Sequence, residues 1–140
     1  MKKVMGGFII VLALVIGILP VFTDCLSQGR VMTLANGMTV PMKCHWTGIA
    51  EIGVAIPLGL VGIFEIIGKR KETFNFLSGT GAVLGVLAIM FPTTLIGVCA
   101  NPAMLCHMVM RPGLIMSGAL VIGASVVVFA FSRKTADPVA

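Results

Sequence analysis

The sequence predicts an all-α integral membrane protein: one four-helix bundle over residues 1–140, with both termini cytoplasmic and small disulfide-stapled outer loops. Three observations carry this. Only 11% of the 140 residues are charged and 58% are hydrophobic, where a soluble domain has roughly 25% charged residues. The apolar residues fall into four blocks, each near the ~20 residues needed to cross a ~30 Å hydrocarbon core. Basic residues collect on one side of those blocks, which sets orientation.

The first block, Val4–Phe22, follows Met1-Lys2-Lys3. That beginning has the look of a signal peptide, but the apolar run is long and its exit, Pro20-Val21-Phe22-Thr23-Asp24-Cys25, offers no small-residue cleavage site. A retained helix is expected. The loop Thr23–His45 holds Asn36-Gly37 between Arg30–Leu34 and Met38–Met42, a hairpin signature. The second block is Trp46–Ile67, and the short loop Gly68–Thr73 carries Lys69, Arg70 and Lys71. The third block is Phe74–Val98, the second outer loop is Cys99–Arg111, and the fourth block is Pro112–Phe131. The tail from Ser132 to Ala140 is expected to fray.

Seven basic residues (Lys2, Lys3, Lys69, Arg70, Lys71, Arg133, Lys134) share one side, against Arg30, Lys43 and Arg111 on the other. The net charge of +5 is therefore read as a topology signal and an attraction to anionic lipid, not as a nucleic-acid footprint.

Small residues let helices approach closely in lipid. The pairs Gly81/Gly85, Ala55/Gly59, Gly113/Ser117 and Ala119/Gly123 are expected to serve packing within the bundle. Glu65 and Lys69, four residues apart, are expected to form a structural ion pair. Glu51 lies deeper, and an intramembrane acid is a functional candidate by default. Its bland role is hydrogen bonding to Thr47, one turn away.

Chemistry concentrates in two outer motifs, Met42-Lys43-Cys44-His45 and Met104-Leu105-Cys106-His107, each preceded by another cysteine, Cys25 and Cys99. The repeat hints at a duplicated two-helix hairpin. In an oxidising compartment four cysteines permit three disulfide pairings: Cys25–Cys44 with Cys99–Cys106 would close each loop across its own mouth, and the other two would tie the halves of the chain together. Alternatively, thiolate, thioether and imidazole donors suit copper or zinc, with His45, His107, Met104 and Met108 as ligand candidates if the two motifs converge. A third reading, a membrane thiol–disulfide oxidoreductase, lacks the Cys-x-x-Cys pair such chemistry uses.

With their flanks, Met42-Lys43-Cys44-His45-Trp46-Thr47-Gly48-x-Ala50-Glu51 and Cys99-x-Asn101-Pro102-x-Met104-x-Cys106-His107 resemble a family of small bacterial four-helix membrane proteins of unknown function. The resemblance covers nearly the whole chain. It implies four spans in the bacterial cytoplasmic membrane, cysteine-bearing outer loops and the Glu51 position. Members of such families often accompany ABC-type export systems. The expected role is thus a non-enzymatic accessory or structural subunit without a cofactor. Its partners would be the bilayer and a membrane protein or copies of itself, and not nucleic acid.

Overall fold

The computed structural model describes residues 2–68 and 70–134. Four long helices form the fold: α1 (Lys2–Thr23), α2 (Lys43–Ile67), α3 (Lys71–Met90) and α4 (Arg111–Lys134). A π-helical turn, Phe91–Leu95, extends α3, and another, Cys106–Met110, leads into α4. All four helical segments are long and apolar enough to cross a membrane. The 22 residues of α1 rise roughly 33 Å at 1.5 Å each, enough for the hydrocarbon core.

α1 lies along α2 and α3 along α4, and the two hairpins meet through smaller α1–α4 and α2–α3 contacts. Within each hairpin a pair of glycines brings two backbones together. A Cβ on Gly6 would sit 2.8 Å from the Gly62 carbonyl oxygen, and one on Gly85 would sit 3.0 Å from that of Gly118. Of the expected small-residue positions, Gly81 faces the Ser125 hydroxyl and Ala55 faces Gly17, both inside the bundle, while Gly123 meets nothing within 4 Å. The core between the helices is aliphatic, with Ile9, Ile16, Leu58, Leu114 and Val121 fully enclosed. Outward faces carry exposed Val11, Leu14, Ile56, Leu60, Val83 and Leu120. That inversion of the soluble pattern fits lipid contact.

Trp46 is exposed at the start of α2, and Arg133 stacks on the Phe129 ring at the end of α4, 4.6 Å from its centroid. Amphipathic aromatics and snorkelling cations are the usual anchors at membrane boundaries.

The expected hairpin forms. β1 (Met32–Thr33) pairs antiparallel with β2 (Thr39–Val40), and Gly37 takes the left-handed φ of 78° that the turn requires. Helix limits differ from expectation at the loop end. α2 begins at Lys43 rather than Trp46, so Cys44 and His45 belong to its first turn. The α3 segment stops at Leu95, short of Val98. Pro92 cannot donate within the helix, and the ladder widens there. The hydroxyls of Thr93 and Thr94 donate to the Ile89 and Met90 carbonyls (2.6 and 3.2 Å), and the Phe91 carbonyl accepts from both Ile96 and Gly97. Backbone groups that a regular helix would pair are thus satisfied locally, as a low-dielectric surrounding demands.

Candidate metal centre

Four chain segments converge at the end of the bundle opposite the start of α1. Cys25 follows α1, Cys44 lies in the first turn of α2, Cys99 follows the α3 segment, and Cys106 opens the turn into α4. Their Sγ atoms all lie within 4.8 Å of one another. Cys25 and Cys99 are 3.5 Å apart, Cys25 and Cys106 3.5 Å, and Cys44 and Cys99 3.6 Å. All four are thiols in this structure; Cys25, Cys44 and Cys106 are buried, and Cys99 is partly open. Each of these three contacts joins the α1–α2 hairpin to the α3–α4 hairpin. Pairings within each loop and pairings across the two halves are thus both within reach of the same four sulfurs.

Two hydrogen bonds lock this convergence, each placed beside clustered cysteines. His45 Nδ1 is 2.9 Å from Asp24 Oδ2, which ties the exit of α1 to the entry of α2. Ser27 donates its backbone N–H to the other carboxylate oxygen at 2.7 Å. The Thr47 hydroxyl donates to the Gly97 carbonyl at 2.7 Å, tying α2 to the end of the α3 segment two residues before Cys99. Gly97 holds a φ of 79°, a turn that a side chain would strain. Asp24, Ser27 and His45 also form the polar end of a cleft walled by Pro20, Ile49 and Ile52.

Charge is uneven around the site. Burial opposes ionisation of Asp24, but hydrogen bonds from His45 and Ser27 hold its carboxyl below the ordinary value. Burial, with the surrounding thiols of Cys44, Cys106 and Cys99, pushes the Cys25 thiol up. Cys99 is opposed by burial too, yet hydrogen bonding from Cys25, Cys44 and Cys106 lowers its pKa. The backbone N–H of Cys44, at the positive end of α2, adds to that lowering. Burial therefore favours the thiol at Cys25, while hydrogen bonding favours the thiolate at Cys99.

The other expected site residues take different positions. Among the described residues, no histidine nitrogen or carboxylate joins the cysteines in one metal-sized group. His107 Nε2 accepts from Arg111 at 3.4 Å. Met108 is 62% exposed, whereas Met104 packs against the hydrophobic core. Met42 had no place among the candidate ligands, yet its Sδ lies 3.8 Å from Cys99 Sγ. Its signal was the repeated Met-x-Cys-His itself, in which it occupies the position equivalent to Met104. Thr47 is engaged with Gly97 rather than Glu51. Glu51 is fully buried on the face of α2 that carries Cys44, about 10 Å further along the axis. Neither carboxylate of Glu51 and Glu65 has a hydrogen-bond partner among the described residues. The expected Glu65 partner, Lys69, lies outside the described residues.

A family model described as a domain of unknown function (DUF4418) matches residues 4–131. No curated protein and no solved structure matches the chain.

Proposed function

The chain belongs to the DUF4418 family, and we propose that it is a bacterial multi-pass membrane protein that holds a soft metal ion at the outer end of its bundle. The observation that carries this reading is the set of four Sγ atoms within 4.8 Å. A tetrahedral thiolate site with metal–sulfur bonds of ~2.3 Å has sulfur–sulfur edges of about 3.8 Å. The contacts of 3.5–3.6 Å differ from that by a few tenths of an ångström. Drawing all four helical segments to one ion would stabilise the end of the bundle, because metal binding that requires the fold adds to folding free energy. Thiols must lose protons to become ligands, and the hydrogen bonds that Cys99 accepts favour that loss there.

In the orientation set by the basic residues, the site faces outward and both termini face the cytoplasm. Binding, rather than catalysis, is the activity. An accessory subunit of a larger membrane complex, such as an ABC-type exporter, is the setting we propose for it.

The test is the metal content of full-length protein, purified in detergent under reducing conditions and loaded with copper(I) or zinc(II). One ion per chain, lost in Cys25→Ser and Cys106→Ser variants, is expected. Protein with four titratable thiols that retains neither metal would overturn the reading.

A further inference from the structure

We propose that the metal is copper(I), and that Met42 is a sulfur ligand or contact of the bound ion. The inference rests on the thiolate-site reading and adds the identity of the ion.

Its first support is the donor set. The four thiols are the only His, Cys, Asp or Glu side chains grouped closely enough for one ion among the described residues. The nearest further donor identified beside them is another sulfur, Met42 Sδ, 3.8 Å from Cys99 Sγ. Met42 is held there by the backbone: it precedes the first residue of α2, and its carbonyl accepts from the His45 N–H at 3.0 Å. Met104 packs against the hydrophobic core, and Met110 is fully buried one turn beyond Cys106. Thiolates suit copper(I) and zinc alike, so the thioether, a neutral and soft donor that suits copper(I), is the discriminating member of the set. His45, the imidazole nearest in sequence, has its Nδ1 on Asp24.

A second observation is access. Cys25, Cys44 and Cys106 are buried to 1% exposure or less. The partly open Cys99, beside Met42, gives the ion a way in.

The experiment uses full-length reduced protein in detergent, kept anaerobic, with zinc(II) and copper(I) competing in the presence of a calibrated chromophoric chelator for each. The expected result is displacement of zinc by copper(I). Met42→Leu keeps apolar volume and should lower copper(I) affinity roughly tenfold, the lower end of what a site's supporting contacts contribute, while zinc affinity stays unchanged. Met108→Leu, at an exposed position, should alter neither. If zinc is retained against copper(I), or if Met42→Leu leaves copper(I) affinity unchanged, the copper inference fails and the thiolate site stands. If neither metal binds protein with four reduced thiols, both fail.

Discussion

His45 Nδ1 lies 2.9 Å from Asp24 Oδ2, and these two residues are the chain neighbours of Cys44 and Cys25. One side-chain contact thus sets the separation of two clustered thiols from two different helices. Asp24→Ala removes it together with the Ser27 contact, and is expected to destabilise the protein by about 2 kcal/mol at neutral pH. The folded pKa of Asp24 lies below its ordinary value of 3.8. Its contribution is therefore complete above that value and is lost as pH falls through the lower, folded value. Thermal melts in detergent should separate wild type from Asp24→Ala at pH 7 and converge in acid. Equal melting at both pH values would show that the pair is idle.

Thr47 acts on the other side of the site. Thr47→Val preserves shape but strips the Gly97 carbonyl of its donor, at a cost of about 1–3 kcal/mol for an acceptor left unpaired. Thr47→Ser should retain most of the stability. Because Gly97 lies two residues before Cys99, alkylation of Cys99 should quicken in Thr47→Val and not in Thr47→Ser. Unchanged alkylation in both would separate this hydrogen bond from the placement of Cys99.

The four thiols of the metal-free, reduced protein should differ in reactivity. Thiolate is the nucleophile; Cys99 is partly open with a lowered pKa, and Cys25 is buried with a raised one. Brief treatment with iodoacetamide at neutral pH, followed by peptide mapping, should label Cys99 first and Cys25 much later. The opposite order would refute this ranking of Cys99 and Cys25.

Oxidation offers a connectivity test. Three close contacts across the hairpins, Cys25–Cys99, Cys25–Cys106 and Cys44–Cys99, permit one complete pairing: Cys25–Cys106 with Cys44–Cys99. A mild thiol oxidant applied to metal-free protein should yield these two bonds, each linking the two hairpins. Peptide mass spectrometry without reduction reads the outcome directly. Recovery of Cys25–Cys44 with Cys99–Cys106 would instead favour the loop-local staples expected from sequence.

Much of the architecture was legible because lipid imposes simple demands. Segment length, apolar runs and the Asn36-Gly37 turn each follow from local chemistry, and all reappear as helices and hairpin. The tight Gly6–Gly62 contact was not legible, because those glycines belong to different helices and no spacing within either one marks the crossing. The site was half legible. Repetition of Met-x-Cys-His drew attention to the right sulfurs, but spacing along the chain favoured closure within each loop. Convergence across the hairpins depends on Thr47–Gly97, 50 positions apart, and the approach of Cys25 to Cys44 within the first hairpin on Asp24–His45, 21 positions apart. The histidines looked like ligands for their place in the motif. In the folded protein one orients the entry of α2 and the other meets Arg111.

The convergence of four cysteines on one ion is tested most directly by the metal-edge X-ray absorption spectrum of the loaded, full-length protein. The account predicts a first shell made of sulfur alone, at about 2.3 Å, which disappears when the four cysteines are replaced by serine. A shell containing nitrogen or oxygen scatterers, or a sulfur shell that survives that replacement, would contradict it.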